Sequence, residues 1–217
     1  GKDGLFFPKW GGETYADPDT TGTALAALAK YNTAEYPKVQ EFIKNAVAGL
    51  SKAQRDNGSY GNVNSDAMVI TGLTAIGIDP AKDGRFVKGG CSLADALLLY
   101  VNDAGNGFTT GYLSGAQGEK AQALATEQGF RALVTLEQFK KAAASSEGGK
   151  ATAFNIYTLS TTQVDPSTWE PTTEPTPVGP EKPEQPTPGK ANDKGEVPDQ
   201  PSQGGGTSGG SSTTSDW

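Results

Sequence analysis

The last leucine of the chain is Leu159, and beyond it stand no isoleucine, phenylalanine, methionine or tyrosine. Folding requires enough buried apolar surface to offset the entropy of ordering the chain, so this limit confines the packed body to about residues 1–160. Ten of the 14 prolines lie at or beyond Pro166. The run "EPTTEPTPVGPEKPEQPTPGKANDKGEVPDQ" favours extended polyproline-II-like chain, and "GGGTSGGSSTTSDW" a flexible coil. Residues 165–217 therefore read as a disordered stalk.

Charge divides the same way. From Thr161 onward nine acids face three bases, whereas the whole chain carries −7, so the body is near neutral. A near-neutral body lacks the basic field that nucleic acid requires. There is no histidine, which removes imidazole as metal ligand, base and pH switch. The single cysteine, Cys91, rules out an internal disulfide framework and reads as a small buried residue or a helix-start residue. No run of about 20 apolar residues suggests a membrane span. The opening "GKDGLFF" carries no signal peptide and reads as the continuation of a longer parent chain.

Within the body three small-residue segments repeat. "DTTGTALAALAKY" from Asp19, "SDAMVITGLTAIG" from Ser65 and "ATEQGFRALVTLEQF" from Ala125 superpose with Leu28, Leu73 and Leu133 in register. Ala27, Gly72 and Ala132 precede those leucines. Thr20 and Thr21, Ser65 and Asp66, and Thr126 and Glu127 open the segments, where their oxygens can satisfy first-turn N–H groups. The steps are 45 and 60 residues, the second lengthened by "DAGNGFTTGYLSGAQGEKAQ". Periods of this size mark stacked units that bury a core only together.

A second kind of helix alternates with these. In "PKVQEFIKNAVAGLSKAQ", Val39, Phe42, Ile43, Ala46, Val47 and Leu50 form one apolar stripe, with Pro37 in the first turn. "SLADALLLYVND" is a shorter version. A Gly-aromatic turn ends each: "QRDNGSY" and "NDAGNGF", with "KDGLF" resembling the end of a third. Gly58 and Gly107 are expected at positive φ. Tyr60, Phe108 and Phe6 are expected to plug the gaps between helices, and Gln54 to bond exposed carbonyls. Helices are predicted near 20–31, 37–53, 65–77, 92–102 and 121–141.

"AVAGLSKAQRDNGSY" resembles the QW repeat of the terpene cyclase and prenyltransferase superfamily, with Tyr60 where tryptophan is usual. "DPDTTGTALAAL" and "NSDAMVITGLTAIGIDP" are similar to two branches of it. One is the squalene-cyclase-like repeat region of Gram-positive surface proteins. The other is the transcobalamin and intrinsic-factor family. The resemblance covers about residues 1–140. It implies an all-α fold of α/α-toroid helical hairpins, here a partial ring that the remainder of the parent chain or another chain would complete.

The resemblance also sets the candidate chemistry. Asp19 in "DPDTT" stands where class II cyclases place their catalytic acid, but Thr20 replaces the third carboxylate of that motif. The plainer reading of the same residues is an Asp-Pro turn opening a helix, with Thr20 or Thr21 as cap. The zinc of protein prenyltransferases has no histidine ligand here, and no Asp-rich magnesium motif is present. "GKDGLF" and "GNGF" lack the setting of phosphate loops, and "NGS" at Asn57 fits a helix-stop turn better than a glycosylation site.

No metal or cofactor is expected, and no enzyme activity. The helix-start residues Asp19, Asn64, Asp66 and Glu127 are the expected ligand-binding rim, with individual capping as the alternative role of each. Tyr15, Tyr60, Phe108 and Tyr112 could line the same mouth. The body with its stalk then reads as an extracellular, cell-wall-displayed binding or structural module of a Gram-positive bacterium, contacting an unknown ligand or surface partner. Cobalamin on the rim, and a cyclase-like fragment, are the alternatives.

Overall fold

The computed structural model describes residues 2–7, 9–10, 13–14, 16–110, 120–146 and 151–169. The stalk expected from 165 onward lies outside these beyond Trp169, as do Tyr15 and Tyr112. The five α-helices among the described residues are α1 (Pro18–Leu28), α2 (Pro37–Ala53), α3 (Val63–Ala75), α4 (Leu93–Leu98) and α5 (Ala123–Ala144).

Their starts recover the repeat. The N-cap residues Asp17, Asn62 and Gln122 are spaced by the same 45 and 60 residues as Leu28, Leu73 and Leu133. Asp17 caps α1 through the Asp19 N–H at 3.0 Å, so neither Thr20 nor Thr21 has that role. Asn62 caps α3 through the Ser65 N–H at 2.8 Å.

α3 is the central helix, and every residue from Val63 to Ala75 is buried. Its apolar and small side chains run all round the cylinder, as a helix packed on every side requires. α1 lies against it with the two N-termini together. A Cβ on Gly22 would come within 2.4 Å of the Met68 carbonyl oxygen, and one on Gly72 within 2.4 Å of the Gly22 carbonyl oxygen. α2 buries Ile43, Ala46, Val47, Gly49 and Leu50, the stripe read from its spacing.

The expectation of an all-α toroid is corrected by three two-stranded antiparallel ribbons: β1 (Lys9–Trp10) with β2 (Glu13–Thr14), β3 (Val87–Lys88) with β4 (Cys91–Ser92), and β5 (Ala151–Asn155) with β6 (Ser160–Val164). The fold is mixed helix and strand. The second ribbon turns on Gly89 and Gly90, both at positive φ, as a tight two-residue hairpin demands. The third forms from "ATAFNIYTLSTTQV", whose threonines and valine suit strands. β5 is its inner strand, with Thr152, Ala153 and Phe154 buried, and β6 is exposed along most of its length. The ribbon is tied to α1 where Asn155 Nδ2 donates to the Ala26 carbonyl at 2.8 Å. Past the ribbon, Trp169 is buried and lies under the Arg85 guanidinium, 4.5 Å from the ring centroid.

The seam after α2 holds as expected at Gly58, where φ is +82. At the seam after α4 the positive φ falls instead on Gly105, at +64. Gly107 serves a different need: a Cβ there would meet Ala121 Cβ at 2.5 Å. Gln54 Nε2 donates to the carbonyls of Gly58 at 2.7 Å and Phe86 at 3.0 Å, tying the seam to the next turn. Gln54→Ala strands two buried carbonyls and is expected to cost about 2–3 kcal/mol. A urea midpoint within error of wild type would refute that role.

Candidate functional site

The three seams share one hydrogen bond. In each, an oxygen in the first turn of the following helix accepts the backbone N–H of the seam aromatic. Thr21 Oγ1 accepts from Phe6 at 3.0 Å, Asp66 Oδ1 from Tyr60 at 2.7 Å, and Thr126 Oγ1 from Phe108 at 3.0 Å. The acceptors again stand 45 and 60 residues apart. The helix-opening side chains at these positions thus tie down the preceding seam rather than cap their own helices. Tyr60 and Phe108 are buried plugs, whereas Phe6 is 40% exposed and packs edge-on against Phe42.

Asp66 is the exception among the three acceptors, since threonine suffices for this bond at the other two. Its carboxyl is fully buried, and Oδ2 has no hydrogen-bond partner. The adjacent Ser59 hydroxyl is engaged by Tyr100 Oη at 2.6 Å and by the Gly61 N–H at 2.7 Å. Burial pushes the Asp66 pKa up to about 7, against the Tyr60 N–H and the nearby Ser59, with the Asp19 charge raising it further and Arg55 opposing.

Asp19, an expected rim residue and the acid of the cyclase alternative, accepts a hydrogen bond from Ser65 Oγ. Burial raises its pKa, the Ser65 bond opposes the rise, and the Asp17 charge adds to it. Asn64 Nδ2 donates to Gln128 Oε1 at 2.6 Å. Glu127 is exposed and pairs with Arg131 at 3.0 Å. The four expected rim residues therefore divide. Asp19 and Asp66 lie close enough for their charges to interact, Asn64 meets α5, and Glu127 faces outward. Cys91 sits half-buried in β4 directly before α4, and burial together with the Asp95 and Asp66 charges raises its thiol pKa.

Two cavities of about 400 Å³ each flank the third ribbon, and none of the four rim residues lines either. The first lies between α1 and the ribbon. Ala26, Ala27, Ala29 and Ala75 line it from the helical side, and Tyr157 and Thr162 are among its ribbon residues. The second lies between the last turns of α5 and the ribbon. Both went unread in the sequence because the ribbon did. The signal for it was the β-branched run after Gly149.

No protein-family model matches the chain, and no curated protein or solved structure matches it. Among the described residues no helix is long and apolar enough to cross a membrane, and no group of three or more His, Cys, Asp or Glu could hold a metal ion.

Proposed function

We propose that the chain is a non-catalytic binding module displayed on the outside of a Gram-positive cell, its helical-repeat body carried by an acidic Pro/Thr/Gly-rich stalk. The observation that supports this most is the separation of reactive groups from space. The two carboxyls with raised pKa are held elsewhere, Asp19 by Ser65 Oγ and Asp66 by the Tyr60 N–H, while the cavity over α1 has no carboxylate and only Lys30 and Tyr157 as titratable side chains. A cyclase-type acid must sit beside its substrate, and neither of these carboxyls lines that cavity; binding needs only a shaped cavity. The surface assignment rests on the stalk composition, since polyproline-II chain gains about 3 Å per residue and suits the crossing of a cell wall.

Two measurements test the reading. Incubation with squalene, oxidosqualene or a prenyl diphosphate is expected to give no product. Turnover that disappears in Asp19→Asn would establish a cyclase instead. Trypsin applied to intact source cells is expected to release peptides of the body, and their appearance only after lysis would refute surface display.

A further inference from the structure

The cavity between α1 and the third ribbon has a chemical bias. Most of its polar side chains already have partners within the protein. Asn155 donates to the Ala26 carbonyl at 2.8 Å and accepts from the Tyr157 N–H at 3.0 Å. Thr158 and Ser160 bond each other at 2.7 Å. Thr23 donates to the Asp19 carbonyl at 2.9 Å, and Tyr157 Oη accepts from Arg131 at 2.7 Å. The lining still offers a ligand the alanine surface, the Thr162 side chain, the half-exposed Tyr157 ring, over which the Arg131 guanidinium lies 5.5 Å from the centroid, and one cation, Lys30.

Lys30 lies 4.7 Å from the centroid of the Tyr31 ring and has no carboxylate partner among the described residues. No acid lines the cavity to oppose an anion. The cavity by α5 differs, because its Lys141 is already paired with Glu137 at 3.2 Å.

Resting on the binding-module reading, we propose that the α1–ribbon cavity binds a small amphipathic monocarboxylate, with its apolar body on the alanines and against Tyr157 and its carboxylate at Lys30. A volume of about 400 Å³ is at the small end of ligand sites and suits an aliphatic or aromatic acid of about eight carbons. Aspartate-like diacids are disfavoured, since a second charge would be set against apolar lining without a counter-ion.

Isothermal titration of the full chain with octanoate, 1-octanol and octylamine tests this. Octanoate is expected to bind about tenfold or more tighter than the other two. Lys30→Glu, an exposed substitution, is expected to weaken octanoate about tenfold and leave octanol unchanged. Ala27→Trp, which fills the cavity from an exposed helix position, is expected to abolish both. Octanol binding as tightly as octanoate would overturn the anion site. Octanoate binding unchanged in folded Ala27→Trp, or unchanged in Lys30→Glu, would place it elsewhere. No heat with octanoate would overturn the ligand class while leaving the binding module standing, because only turnover or an intracellular location defeats that reading.

Discussion

Asp66→Thr is expected to flatten the dependence of stability on pH between about 4 and 8. In the wild-type chain the folded carboxyl titrates at about 7, whereas an unfolded aspartate titrates near the ordinary 3.8. The folded state therefore holds the proton more tightly. Its stabilising effect is complete below the unfolded value, declines as pH rises, and is gone once pH has passed the folded value. About three pH units of difference correspond to on the order of 4 kcal/mol across that window. Asp19, with its pKa also raised, acts in the same direction. Burial pushes Asp83 up, but the Arg85 hydrogen bonds and charge outweigh it and hold it low. Ser92 holds Asp95 low through side-chain and backbone bonds. These two act in the opposite sense, losing stability as pH falls below the ordinary carboxylate range.

Threonine is the informative replacement because Thr21 and Thr126 make the same bond at the neighbouring seams. It keeps an acceptor for the Tyr60 N–H and removes the buried charge. Melting temperatures of wild type and variant should converge toward pH 4 and separate by pH 8, with the variant higher. Parallel profiles would show that Asp66 is not the titrating group. Asp66→Asn, which preserves size, should reproduce the flat profile if threonine proves too small for the site.

Gly22→Ala and Gly72→Ala are each expected to cost about 3 kcal/mol or more, lowering the melting temperature by roughly 6–12 °C. The obstruction in both is backbone. Beyond the contact with the Met68 oxygen, a Cβ on Gly22 would stand 2.8 Å from the Val69 nitrogen. Relief requires α1 and α3 to separate, and that loosens the packing around the central helix. Gly84→Ala is the control, since its Cβ would meet nothing within 4 Å, and it should be nearly neutral. Melting temperatures for Gly22→Ala and Gly72→Ala within 2 °C of that control would refute the close contact, since a cost of this size moves melting by about 2–4 °C per kcal/mol.

Much of the helical framework was legible because its signals are local. A proline at the first helical position, a polar cap and a stripe of period 3.6 are decided within a few turns, and α2 has the expected bounds Pro37–Ala53. α4 is shorter than expected, ending at Leu98, with Leu98 and Leu99 half exposed. The β5–β6 ribbon was not read because it straddles the composition boundary near residue 160. Its threonines look like the first of the stalk until pairing with β5 gives them a ladder. Ala27 aligned with Gly72 in sequence yet is exposed, since α1 turns Gly22 and Ala26 toward α3 instead.

The sequence by itself determined the spacing of the repeat, 45 and then 60 residues, because a cap, an acceptor and a leucine recur at constant offsets along the chain. There Asp66 reads as a polar helix-start residue aligned with Thr21 and Thr126, and as a member of the expected ligand-binding rim. The tertiary structure decided that it is buried beside Tyr60 and Ser59 with one oxygen unsatisfied, and that Lys30 lines one cavity with four alanines and a tyrosine from 127 residues farther along. The physical reason is that hydration and electrostatic environment are set by what surrounds a group in space, and those neighbours are supplied by segments remote in sequence.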